Sequence, residues 1–205
     1  PEEVPIIQKR LVDACRNHGK PVVVATKMLD SMVNSPSPTR AEASDVATAV
    51  FDSVDCVMLS AETASGKFPI ESVKIMDRLI RGVENDFSYR QLLESKKIKL
   101  EETTSDAISS AASQVVKTVL AKAIFTYTRS GGTAKRAARE RPTVPIIGLS
   151  PERLTARQLA LIWGVHNIHA LEPKSFSGMI ENACDVAKKE KIVKRGDYVV
   201  ITCLL

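Results

Sequence analysis

The chain has 205 residues, a net charge of +5, and 44% hydrophobic and 26% charged side chains, the balance of a soluble globular protein of one large or two modest domains. No run approaches the roughly 18 apolar residues of a membrane span, and no basic–apolar–small leader opens it. Aromatics are only 4% and no basic stripe is interleaved with them, so the sequence does not read as a nucleic-acid binder.

Residues 2–18 are expected to form an amphipathic helix. Ile7, Leu11 and Cys15 stack at four-residue spacing, Ile6 and Val12 widen the stripe, and Gly19 stands where a C-terminal cap belongs. Residues 21–25 carry Val22, Val23 and Val24 without polar alternation, which suits a parallel strand buried on both faces. Thr26 falls at its end. Ser35-Pro36-Ser37-Pro38 must be a loop, because neither proline can continue a helix. Thr39-Arg40-Ala41-Glu42 has capping-box spacing, so a helix follows to about residue 54. Residues 55–59 read as the next strand, with Ser60 and Glu62 just past its end. Thr26 and the Ser60/Glu62 pair thus occupy equivalent places in two successive strand–loop–helix units, and in β/α barrels the chemistry gathers at such strand ends. Pro69 suits the first turn of a third helix, whose apolar face is Val73, Met76, Ile80 and Val83.

From 84 to 102 the pattern loosens, and a surface linker between domains is expected there. A helix restarts near Thr104 with a broad face of Ile108, Ala111, Ala112, Val115, Val116, Val119 and Leu120. Strands then alternate with helices: strands at 123–127, 144–149, 165–171 and 198–204, helices at 132–141, 152–163 and 177–189. Such alternation predicts a doubly wound α/β domain. The four cysteines, Cys15, Cys56, Cys184 and Cys203, lack metal-ligand spacing and read as small filler in a reduced cytoplasmic protein. His166 and His169 have no carboxylate or cysteine partner at ligand spacing and read as structural.

Three runs carry a family resemblance: Ala25-Thr26-Lys27-Met28-Leu29-Asp30-Ser31-Met32, residues 38–47 (PTRAEASDVA) and residues 55–66 (DCVMLSAETASG). In their order and spacing they resemble pyruvate kinase, and the likeness extends weakly to the C-terminus. The resemblance implies the last strand–helix units of a TIM-type β/α barrel over 1–86. Over 87–205 it implies a doubly wound α/β C-terminal regulatory domain, ending before its last hairpin. It implies phosphoryl transfer between phosphoenolpyruvate and ADP in a cytoplasmic homotetramer using Mg2+ (or Mn2+) and K+. The catalytic lysine and the metal and potassium ligands of the family lie outside this sequence, so the chain alone is expected to be inactive.

By resemblance Thr26 matches the family threonine that hydrogen-bonds the substrate carboxylate. Lys27 stands where glutamine is commoner, and Ala61, Ser65 and Phe68 replace the commoner glycine, lysine and tyrosine. Ser60 and Glu62 fit either local capping of the loop or a catalytic polar network beneath the substrate. Thr128-Arg129-Ser130-Gly131-Gly132-Thr133 links a strand to a helix start, where close backbone approach and free N–H groups favour an anion. It lacks P-loop spacing. It resembles the loop that holds the phosphate of a sugar-phosphate effector in regulated members of the family; an ordinary Gly-rich turn is the alternative. A nucleotide effector is equally open. Arg129, Lys135, Arg136 and Arg139 are the basic groups at hand. Two other classes of function stay open: a stand-alone anion-binding module without catalysis, and a purely structural fragment that associates with the rest of the enzyme.

Overall fold

The computed structural model describes residues 2–96, 102–173 and 175–203. The chain divides into two compact units, Pro1–Lys97 and Ile98–Leu205.

In the first unit, helix α1 (Val4–Asn17) leads to β1 (Val23–Val24), and a 3₁₀ turn (Asp30–Val33) precedes α2 (Arg40–Phe51). Then come β2 (Cys56–Val57), the short α3 (Ala61–Ala64), α4 (Pro69–Glu84) and α5 (Phe87–Ser95). β1 and β2 pair in parallel, Val23 beside Cys56 and Val24 beside Val57. Each strand is shorter than the five residues expected, since among the described residues each has a neighbour on one side only. The core is Val12, Met28, Leu29, Met32, Val46, Ala49, Val54 and Met76. Val50, Val83 and Tyr89 form a second cluster, where Tyr89 meets Phe51 edge-on.

Helix α1 ends as predicted. Gly19 takes φ +59°, its N–H bonds the Arg16 carbonyl and the Lys20 N–H bonds that of Cys15, a Schellman motif. Its buried face differs from the expected one. Val12 is buried, but Ile6, Ile7 and Leu11 stay exposed, because a two-stranded sheet covers one stripe of the helix and Val12 and Arg16 occupy it. In α4, Met76 and Val83 go in, Val73 stays out, and Ser72 takes a fully buried place by donating to the Phe68 carbonyl at 2.8 Å. α5 stands where composition predicts a linker. Asp86 caps it by accepting the Ser88 N–H at 2.8 Å, and Tyr89 anchors it. Residues 97–101 of that expected linker lie outside the described residues.

The second unit starts with α6 (Thr104–Val119), capped by Thr103, whose hydroxyl accepts the Asp106 N–H. Its buried face is narrower than predicted: Asp106, Ser109, Ala112 and Val116 go in, while Val115, Val119 and Leu120 are exposed. β3 (Ile124–Tyr127), α7 (Gly132–Arg139), β4 (Ile146–Ser150), α8 (Arg153–Gln158), β5 (Val165–His169), α9 (Phe176–Lys189) and β6 (Val200–Thr202) follow. The strands lie in the order β5-β4-β3-β6, all parallel. Alternate side chains serve opposite layers. Ile124 meets Val116 of α6, and Ile146 meets Ala134, Ala137 and Ala138 of α7. Phe125, Ile147 and Leu149 meet Ala183 and Ala187 of α9. Helices on both faces of a parallel sheet make this an α/β fold, and the alanines are what let the helices approach closely. Tyr127 ties α9 to the sheet, donating to the Met179 carbonyl at 2.6 Å. Burial pushes its phenol up to about 12. All four cysteines are half-buried, and none is joined in a disulfide. His169 lies 3.1 Å from the Pro151 carbonyl through Nε2. Position 204 of the last expected strand lies outside the described residues.

Candidate functional site

The carboxyl ends of β1 and β2 stand side by side in the first unit, and each opens into a loop carrying predicted residues. After β1 the backbone enters the left-handed region twice in succession, at Thr26 (φ +76°) and Lys27 (φ +52°). For a β-branched residue that is an outlier, and such conformations cost of order 1–3 kcal/mol each. They persist only where the surroundings over-determine them. Here Met28 and Leu29 are buried directly behind the pair, while Thr26 and Lys27 themselves are exposed.

Glu62 supplies the lateral restraint. It is 2% exposed, and its Oε1 accepts the Leu29 N–H at 3.1 Å while Oε2 accepts the Ser60 N–H at 2.7 Å. One carboxylate thus ties the β1 loop to the β2 loop. Burial pushes the Glu62 carboxyl up, but its own N–H and those of Ser60 and Leu29 outweigh burial and hold it below its ordinary value. Glu62 is therefore an anion at neutral pH with both oxygens engaged by backbone. Ser60 is exposed at the mouth of the same loop. Gly66 closes it: a Cβ there would sit 2.6 Å from the Glu62 carbonyl oxygen, so the turn tolerates no side chain.

A second carboxylate does similar work one turn away. The capping box is present: the Thr39 hydroxyl accepts the Glu42 N–H at 3.3 Å, and Glu42 Oε2 accepts the Thr39 N–H at 2.7 Å. Glu42 also takes the Ser31 N–H at 2.7 Å and the Ser31 hydroxyl at 2.5 Å, which pins the turn after β1 to the start of α2. Burial alone would raise its pKa; the Ser31 and Thr39 donors reverse that and lower it to about 2. The Ser31 half of this clasp has no signal in local sequence.

In the second unit the loop from Thr128 to Thr133 leaves the carboxyl end of β3. Thr128 is buried and its hydroxyl accepts the Gly131 N–H at 2.9 Å. Gly131 takes φ +87°, a conformation that favours glycine, and Gly132 starts α7. Arg129 pairs with Glu172, beyond β5, and its carbonyl accepts the Thr155 hydroxyl of α8 at 2.8 Å. Thr155 and Glu172 are supports that sequence reasoning missed. Ser130 is exposed, and Thr133 is buried. Asp106 of α6, also unforeseen, is buried between Arg139 Nη2 at 2.7 Å and Arg136 Nε at 3.2 Å.

Among the described residues no group of three or more His, Cys, Asp or Glu side chains is placed to hold a metal ion. No described helix is long and apolar enough to cross a membrane.

Two family models match the chain, the pyruvate kinase barrel domain over residues 1–73 and the pyruvate kinase alpha/beta domain over residues 106–203. A pyruvate kinase of Methylorubrum extorquens is 46% identical over 200 residues, 98% of this chain and 42% of the relative. One of Geobacillus stearothermophilus is 44% identical over 201 residues, covering 98% of this chain and 34% of the relative. A crystal structure of a pyruvate kinase from Cryptosporidium parvum superposes with a TM-score of 0.91 at 37% identity, covering 98% of this chain and 41% of that one. The chain therefore spans between about a third and two fifths of the length of these relatives.

Proposed function

The chain belongs to the pyruvate kinase family, and we propose that it serves that enzyme's glycolytic reaction, phosphoenolpyruvate and ADP giving pyruvate and ATP. The observation that carries this reading is the left-handed Thr26–Lys27 pair at the end of β1, braced by Glu62 against the neighbouring strand end. Strain held at a strand end where two loops are tied together is what a preorganised site requires. Thr26 offers a hydroxyl that orients the substrate carboxylate without adding charge. Ser60, exposed on the adjoining loop, completes the polar edge. Glu62 is the anionic tie that keeps the two loops in register and acts through them.

Transfer of this kind rests on positioning and on neutralising phosphate charge. By the resemblance, Mg2+ or Mn2+ together with K+ supplies that neutralisation, on ligands outside this sequence. The 205-residue chain alone is therefore expected to form no pyruvate from phosphoenolpyruvate and ADP, and turnover by the purified chain would refute that expectation. The site itself is tested in a chimera in which these residues replace the matching part of the Methylorubrum relative. The chimera should turn over, and Thr26→Ala should lower its kcat/KM by about a hundredfold, the scale of a lost orienting contact. A folded chimera indifferent to Thr26→Ala would sink the assignment. A cytoplasmic homotetramer belongs to the same proposal.

A second reading concerns the second unit. The Thr128–Thr133 loop presents a glycine-lined helix start, held from below by Thr128 and from the side by Thr155. That favours binding of an anionic effector, a sugar phosphate or nucleotide, whether or not catalysis accompanies it.

A further inference from the structure

One face of the second unit's sheet turns polar halfway along its strands. Ile124, Ile146 and Val165 stand in one register row on β3, β4 and β5, and they pack on Val116 of α6, on the alanines of α7 and on Leu159 and Ile162. Two residues on, the row on the same face is Thr126, Gly148 and Asn167. Thr126 is fully buried, and its hydroxyl has no hydrogen-bond partner among the described residues. The side-chain oxygen of Asn167 is also buried without one. Buried polar atoms nearly always find a partner, in the protein or in water, because leaving them unpaired destabilises the fold.

Gly148 shows where the Asn167 amide lies. A Cβ at Gly148 would meet Asn167 Oδ1 at 2.9 Å, Val165 Cγ1 at 3.4 Å and Leu159 Cδ1 at 3.6 Å. The amide therefore leans from β5 over β4, toward β3, and only glycine leaves it that place. Neighbouring strands are about 4.8 Å apart, which puts the Thr126 hydroxyl within about 4–6 Å of the same point. The two oxygens make no direct bond. A water molecule bonded to both can span up to about 5.5 Å.

From this geometry we propose that one internal water molecule binds between Thr126 Oγ1 and Asn167 Oδ1, above Gly148. The Thr126 hydroxyl donates to the water, and the water donates to the Asn167 oxygen, which can only accept. Leu159 and Val165 border the place with methyl groups, so the water has two polar partners, the lower limit for a buried site. It ties β3 to β5, two strands that do not pair with each other, across the strand between them.

The sign of one substitution separates a bridged hydroxyl from an orphaned one. Thr126→Val keeps the branched shape and removes the hydroxyl. With the bridge broken, the unfolding equilibrium constant of the second unit should rise about three- to tenfold, read in urea titrations by Trp163 fluorescence. Unchanged or greater stability overturns the proposal, because losing an unpaired buried hydroxyl is neutral or a gain. Adding Asn167→Leu should recover part of the loss, since the second orphaned atom then goes too; strictly additive effects overturn the link between the two residues. A crystal structure of the 205-residue chain decides without any variant, should Thr126→Val fail to fold. One ordered water within about 3 Å of both oxygens is expected. A direct Asn167–Thr126 hydrogen bond, or side chains packed between the two oxygens, overturns the site.

Discussion

Replacing Glu42 by Gln should loosen the turn after β1 at neutral pH and do progressively less as the solution is acidified. The Glu42 carboxylate collects donors from both Ser31 and Thr39, and its pKa is lowered from 4.5 to about 2. A shift of that size corresponds to about 3 kcal/mol when fully realised. Glu42 is partly exposed, so solvent screening reduces the expectation to about 1–2 kcal/mol. The sign follows from the lowered pKa. The charged form is favoured in the folded chain, so its contribution is complete above pH 4.5 and is lost as pH falls through the range between 4.5 and about 2. Gln keeps the shape but cannot accept from all the donors. Hydrogen exchange of the Ser31 and Thr39 amides is the direct assay, because both N–H groups bond this carboxylate. At pH 7 they should exchange about 5–30-fold faster in Glu42→Gln once intrinsic rates are corrected. In urea titrations followed by circular dichroism, the stability gap between the two chains should narrow steadily below pH 4.5. A gap that is independent of pH, or unchanged exchange at Ser31, would refute the reasoning, since the clasp would then owe nothing to the charge.

Two further outcomes test the strained pair and the buried ion cluster. Thr26→Gly should raise the melting temperature slightly, by an equivalent of about 0.5–1 kcal/mol, because glycine accepts φ +76° without the β-branched penalty; a fall in stability would mean the conformation holds no strain. Asp106→Asn should cost the second unit about 3–5 kcal/mol, since it leaves the buried Arg139 guanidinium without its carboxylate. Trp163, the sole tryptophan and a residue of that unit, reports the loss in a urea titration, and a midpoint shift near zero would show that the carboxylate is dispensable.

What was legible in the sequence was what local chemistry dictates. The Thr39–Glu42 capping box, the Gly19 cap and the Pro69 helix start are each decided within a few residues, and each is present. The alternation after residue 122 gave the parallel sheet because its two central strands, β3 and β4, are buried on both faces and have no polar period to hide them. Which face of a helix is covered proved less legible. The Ile7–Leu11 stripe and Val115 and Val119 are apolar at helical spacing yet exposed, while Asp106 and Ser72 are polar and buried. Periodicity reports that a helix has an apolar side; only the neighbour's size decides how much of it is covered. α5 escaped notice because its apolar residues sit among charges, and its anchor is one aromatic, Tyr89, meeting a residue of α2. Thr26, Ser60 and Glu62 were recognisable through their runs, but the division of labour among them was not. That Glu62 bonds Leu29, 33 positions away, depends on two strand ends lying side by side, and that Glu42 bonds Ser31, 11 positions away, depends on how the turn after β1 folds back on the start of α2.

The two carboxylates bear on how the strained pair can exist at all. A left-handed β-branched residue relaxes unless the chain on either side is fixed, and β1, paired on one side over two residues, fixes only the entry. The exit is fixed by three features: Leu29 is fully buried, its N–H is bound by Glu62, and the turn that follows is bound through Ser31 by Glu42. Both groups act as carboxylates rather than amides because each must accept from backbone N–H groups of two separate segments at once, which a lowered pKa makes favourable at neutral pH. It follows that Thr26 need not touch either residue to depend on them. Loss of Glu62 frees the β1 loop from the β2 loop, whereas loss of Glu42 frees only the far end of the β1 loop. The first change should therefore disturb both Thr26 and Ser60, and the second Thr26 alone, which orders the two carboxylates by their reach into the site.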